Sequence, residues 1–189
     1  MPTPTSAPPT AIYQLKITLR DSHPPLWRRV LVRDDTTLAK LNFIIQIAMG
    51  WSNSHLHDFT ILGERYSEPS PEDGEPVKDE RRYKLNQFVT GAKFKFAYQY
   101  DFGDSWDHAV VVEKILPPDP GVRYPVCVAG KHACPPEDVG GVWGYAGFLE
   151  ALADPNHAEH ENYWEWIGGE FDPEAFDLEG VNTLLKQIR

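Results

Sequence analysis

Every second residue from 94 to 102 is aromatic: Phe94, Phe96, Tyr98, Tyr100 and Phe102 interleave with Lys95, Ala97, Gln99 and Asp101. A period of two sets those five rings on one face of a β-strand, facing a core. Gly103, Asp104 and Ser105 supply residues that tolerate a turn, and the valine-rich run 109–112 reads as the returning strand. The pattern predicts a hairpin over residues 94–113 whose tip carries Asp101, Asp104, Asp107 and His108.

The same reading places the other elements. Tyr13, Leu15, Ile17 and Leu19 alternate with polar residues, so 13–19 is a half-buried strand, and 26–32 is a second one across the Pro24-Pro25 joint. So short a joint requires antiparallel pairing. Leu38, Leu41, Ile44, Ile45 and Ala48 mark one face of a helix that Thr36 or Thr37 caps and Gly50 ends. A turn over 51–57 leads to a strand at 59–62, an exposed acidic loop at 67–79 and a short helix at 83–89. After the hairpin, residues 117–145 are rich in Pro and Gly and read as a long, packed, irregular segment. Helices are expected at 145–153 and 156–167, with Asp172-Pro173 opening the last. Tyr163, Trp164 and Trp166 read as helix packing, the acids around them disfavouring base stacking.

These elements predict an α+β fold, a mixed and mainly antiparallel sheet packed with helices, with a helical C-terminal third. One domain is expected over 11–189, behind a disordered tail at 1–10 that holds four prolines.

Charge narrows the partners. Eighteen Lys and Arg against 28 Asp and Glu leave a net charge of −10, the wrong sign for broad phosphate-backbone contact, so nucleic acid is a poor default partner. No apolar run approaches the roughly 20 residues that span a bilayer, and the first ten residues lack a secretion signal, so a cytoplasmic protein is expected. Two cysteines make no disulfide framework.

Several residues have the chemistry of a site. His55, His57 and His108 with Asp101 and Asp104 mix imidazole and carboxylate ligands that suit zinc or another transition metal; a hydrogen-bond network capping the turn is the structural alternative. Trp106, Glu137 and Asp138 extend the candidate ligand-binding set beside the hairpin tip. Glu137 and Asp138 are also expected to brace their loop by pairing with Arg28 or Arg29. Cys127, His132 and Cys134 form a weaker candidate metal set, since six residues separate the thiols where zinc knuckles use two to four.

Four motifs then stand in order: PLWRRV at 25–30, MGWSNSHLHDF at 49–59, YDFGDSWDH at 100–108 and CVAGKHACPPEDVGGVWGY at 127–145. With their spacing they resemble the Ri-plasmid ORF-3-like family, whose members are often labelled TnpR-like or insertion-element passenger proteins. The resemblance runs from about residue 11 to the C-terminus. It implies an α+β fold like an α/β roll, an association with mobile elements, and no particular reaction. A serine recombinase would need a nucleophilic serine flanked by arginines and a basic helix-turn-helix, which this acidic chain lacks.

The leading reading is a non-enzymatic binding or accessory module that uses a groove beside the 101–108 tip for a protein or peptide partner, because no triad, phosphate loop or dinucleotide fingerprint is present. The alternative is a metal-dependent, hydrolase-like enzyme on His55, His57, Asp101, Asp104 and His108. A DNA-binding accessory protein is the third.

Overall fold

A computed structural model describes residues 10–69 and 77–188; the expected tail up to residue 9 and the middle of the acidic loop lie outside the described residues. Among the described residues eight strands form one sheet in the order β5-β4-β3-β6-β7-β1-β2-β8. They are β1 (Ile12–Leu19), β2 (Trp27–Arg33), β3 (His57–Ile61), β4 (Glu64–Ser67), β5 (Lys78–Asp79), β6 (Lys95–Tyr100), β7 (Trp106–Leu116) and β8 (Val126–Lys131). Only β4 and β5 pair in parallel; the other pairs are antiparallel. The helices are α1 (Leu38–Met49), α2 (Gly141–Ala153), α3 (His160–Ile167) and α4 (Leu178–Leu185). The α+β fold and the helical C-terminal region stand as expected.

Alternation builds the core. Leu15, Ile17 and Leu19 of β1, Val30 and Val32 of β2, Tyr98 and Tyr100 of β6, and Val110 and Val112 of β7 are all buried. The expected helix face, Leu38, Leu41, Ile44, Ile45 and Ala48, lies buried against them. Thr37 caps α1 by accepting from the Lys40 amide, and Gly50, at φ 107°, closes it in the left-handed region. Two buried polar residues of α1 are tied to the sheet by a closed ring of hydrogen bonds. Gln46 Nε2 donates to Tyr98 Oη (2.8 Å), Tyr98 Oη to Asn42 Oδ1 (2.6 Å), Asn42 Nδ2 to Asn53 Oδ1 (2.9 Å) and the Asn53 amide to Gln46 Oε1 (3.0 Å). The ring satisfies each buried group it joins and fixes the loop after α1 against β6.

Arg28 does comparable work on the other side. It is 1% exposed, and its guanidinium donates to the carbonyls of Ala48, Trp27, Lys131 and His132 while stacking on Phe176. A cation at the C-terminal end of α1 also meets the negative end of the helix dipole. Burial lowers the Arg28 pKa.

Several expectations need correction. Phe102 does not continue the aromatic face: Asp101 turns the chain at φ 54°, and Phe102 stands 42% exposed in the turn. Phe94 is partly buried just ahead of β6. The expected helix at 83–89 is reduced to one short 3-10 turn, Leu85–Gln87, preceded by another at Glu80–Arg82. Backbone bonds from Leu38 to the Tyr83 carbonyl and from Leu85 to that of Thr36 hold the chain extended between them. The irregular stretch 117–145 contains β8, paired with β2, and α2 starts at Gly141 rather than at 145. A turn at Asp154 delays α3 to His160. Asp172 closes a local turn onto the Glu174 amide, and it is Asp177 that caps α4 through the Gly180 amide. In the C-terminal aromatic cluster, Tyr163 and Trp166 pack on Phe148 and Trp164 stacks on His160, with Trp166 and Trp164 still about half exposed, at 49% and 44%. Among the described residues no helix is long and apolar enough to cross a membrane.

Candidate functional site

Three segments meet at the tip of the β6–β7 hairpin: the loop 51–56 after α1, the turn 101–105, and the loop 135–140 with Gly141, the first residue of α2. Their docking is specific. Trp51 Nε1 donates to the Pro135 carbonyl (3.0 Å), and Glu137 Oε1 accepts from the amide (2.8 Å) and hydroxyl (3.0 Å) of Ser52. Tyr100 Oη donates to the Glu137 carboxylate at 3.2 Å and accepts from the Ser54 amide. Burial, and then the Glu137 charge, raise the Tyr100 pKa. The Asp101 amide donates to the Leu56 carbonyl, and Asp104 Oδ2 accepts from the Gly140 amide (3.0 Å). Gly141 sits at φ 68° so close to the hairpin that a β-carbon would lie 2.5 Å from the Asp104 carbonyl oxygen, so only glycine lets α2 abut the turn.

This docking gathers one imidazole and three carboxylates. His55 Nε2 lies 3.3 Å from Asp138 Oδ1, 3.6 Å from Asp101 Oδ2 and 3.8 Å from Glu137 Oε2. Ligand atoms of His55, Asp101 and Asp138 all fall within 4.8 Å of one another, the only such group of three among the described residues. Asp101 is 7% exposed; its Oδ1 accepts from the amides of Gly103 (2.9 Å) and Asp104 (3.3 Å), as a turn aspartate should.

The other expected site residues lie elsewhere. His57 Nε2 pairs with the buried Glu80 carboxylate at 2.8 Å. His108 is fully buried under Trp51, its Nδ1 3.3 Å from the Tyr98 carbonyl, and burial pushes its pKa down to about 4. Asp104 braces the Gly140 loop, and Trp106 is wholly buried against Trp51, so it faces the core rather than the groove. The five residues of the hydrolase reading therefore do not converge. Cys127, His132 and Cys134 form no ligand group either: burial raises both thiol pKa values, and His132 Nδ1 approaches Glu174 (3.1 Å). The brace between the acid pair and the arginines is also absent, because Arg29 forms a bidentate bridge to Glu113 and Arg28 serves carbonyls.

Around the cluster the surface turns apolar. Leu56 (61% exposed) and Phe102 (42%) stand next to His55 and Asp101 in the chain, and Trp143 (87%) lies in the first turn of α2, two residues beyond the Gly141 that abuts the Asp104 turn. A groove of about 430 Å³ opens beside His55 and Leu56, lined also by Asn53, Ser54, His57 and Glu68. Another concavity, of about 500 Å³ between α1 and α4, is lined by Phe43, Ile47, Leu184 and Ile188 and holds no acid cluster. Sequence reading missed Tyr100, Ser52 and Trp143: Tyr100 scanned as a core ring, and its hydroxyl was the one sign of a second role.

Residues 11–180 match the family described as plasmid pRiA4b ORF-3-like protein. The chain belongs to this family. An uncharacterized protein, y4hQ, of Sinorhizobium fredii is 41% identical over 181 residues, spanning 94% of this chain and 92% of its own. Among solved structures, a protein of unknown function, MM3350 from Methanosarcina mazei Go1, is similar with a TM-score of 0.84 and 39% identity, covering 92% of this chain and 97% of that one. The family match spans all four motifs and each of the three segments that meet at the tip.

Proposed function

We propose that the protein is a non-enzymatic binding module that docks a partner-protein segment at the hairpin tip. The segment sets an aliphatic or aromatic side chain on the rim of Leu56, Phe102 and Trp143, and its polar groups meet the floor of His55, Asp101, Glu137 and Asp138. The observation that carries this reading is the exposure of the rim. A tryptophan 87% exposed in the first turn of a helix buries almost nothing in the free protein, and tryptophan is among the residues that dominate interface energetics. The groove beside His55 is large enough for one side chain.

The test is selection of a displayed random-peptide library on the untagged protein, followed by affinity measurements on the peptides recovered. Apolar-anchored peptides should bind the wild type and lose about 30-fold in affinity with Trp143→Ala, the scale of one hot-spot residue. Equal binding to wild type, Trp143→Ala and Phe102→Ala, or no enrichment at all, would remove the tip as the docking surface.

A further inference from the structure

We infer that His55, Asp101 and Asp138 form a binding site for one divalent first-row transition-metal ion, of the zinc or manganese kind. This deepens the docking reading, since the ion lies in the floor that a partner segment would cover. The inference starts from three ligand atoms that face one another, all within 4.8 Å. His55 Nε2, Asp101 Oδ2 and Asp138 Oδ1 make no hydrogen bond among the described residues, although Asp101 is 7% exposed and its other oxygen is fully engaged in the turn. A protonated imidazole alone does not explain the arrangement. Its single Nε2–H can serve one acceptor well, and charge-assisted bonds of that kind run at about 2.7 to 2.9 Å, whereas the contacts here are 3.3, 3.6 and 3.8 Å, to three carboxylates.

Those separations suit a shared centre. Donors bound at about 2.1 Å around a tetrahedral or octahedral ion stand roughly 3.0 to 3.4 Å apart. The His55 distance to Asp138, 3.3 Å, falls in that range, and the one to Asp101, 3.6 Å, lies just beyond it. The Asp101 and Asp138 oxygens are within 4.8 Å of each other, so a modest rotation of the exposed Asp138 side chain brings all three onto one ion. One imidazole with carboxylate oxygens favours zinc or manganese; calcium would need six to eight oxygens. The set is held from behind, as metal ligands are. Glu137 pins the 52–55 loop through Ser52 and Tyr100 and is a positioning residue, since it reaches His55 without joining the three-ligand group. Asp101 is fixed by the turn amides. Asp138, with a side chain 73% exposed, leaves one side of the centre open to a further ligand.

The experiment is calorimetric titration of ZnCl2 and MnCl2 into untagged full-length protein stripped with chelator and desalted, with MgCl2 and CaCl2 as comparison ions. One ion per chain is expected, with affinity falling tenfold or more in His55→Ala and in Asp101→Asn. The Asp101→Asn variant keeps an oxygen to accept the Gly103 and Asp104 amides, so it should remain folded by circular dichroism, and a loss of affinity then reports ligation. Co2+ added in place of zinc should give visible absorption bands that Asp138→Asn alters. Stoichiometry well above one, or unchanged affinity in folded Asp101→Asn and His55→Ala, would overturn the site. No peptide takes part, so failure here leaves the docking reading standing, and failure of peptide selection leaves the ion site standing.

Discussion

At the scale of single residues, the clearest consequence concerns His108. Its ring is fully buried between Trp51 and Tyr98, with Nδ1 toward the Tyr98 carbonyl and no hydrogen-bond partner for Nε2 among the described residues. Burial, the largest influence, lowers its pKa from 6.5 to about 4, so the fold keeps it neutral where the unfolded chain would protonate it. The unfolded state therefore binds more protons between those two values. Stability from this group is complete above pH 6.5 and is lost as pH falls toward 4, by roughly 3 kcal/mol. Urea midpoints at pH 7, 5.5 and 4.5 for wild type and His108→Phe measure it. The wild type should lose more stability on acidification than the variant, and parallel pH profiles would contradict the buried, neutral ring.

At the scale of elements, the edge of the sheet at β8 is covered rather than bare. An exposed edge strand is a template for pairing with another chain. Here α4 covers it: Asn182 Oδ1 accepts from the Cys127 amide and Asn182 Nδ2 donates to the Cys127 carbonyl, both at 2.8 Å, so one side-chain amide imitates a strand neighbour. Asn182→Ala should cost about 1 to 2 kcal/mol for two lost hydrogen bonds and raise the tendency to associate, read by thermal unfolding and by light scattering. A variant as stable and as monodisperse as the wild type would show that the cover adds nothing. The edge also marks a limit of pattern reading. β1, β6 and α1 declared themselves because each alternates or repeats with a clean period, but β8 hides among Pro and Gly and exists because β2 offers it backbone partners. Residues 83–89 look helical on their own, but bonds to Thr36 and Leu38 draw out residues 83 and 84 and leave a single 3-10 turn at Leu85–Gln87.

At the scale of the whole molecule, the site is a product of topology. The hairpin tip and its acids were legible, as was Asp101 as a turn-capping residue. Its partners were less so. His55 and His57 are two apart and would share a face on a strand, but β3 begins at His57, which leaves His55 in the preceding loop and sends the two rings to different partners. Glu137 and Asp138 are acids that any arginine can neutralise; Glu113 and four carbonyls had already claimed the two nearest in the pattern. What joins residues 55, 101 and 138 is a set of side-chain-to-backbone latches, among them Trp51 to Pro135, Glu137 to Ser52 and Asp104 to Gly140, that no local period encodes.

The convergence of those three segments on one centre is tested most directly by paramagnetic broadening of backbone amide signals when Mn2+ is added to isotopically labelled protein. Broadening should begin at the amides of residues 53–56, 101–105 and 137–141 together, at the same substoichiometric ion concentration, and should vanish with Asp101→Asn. Broadening centred instead on the Cys127–His132–Cys134 region, or spread over the acidic surface without a common origin, would contradict a single site at the hairpin tip.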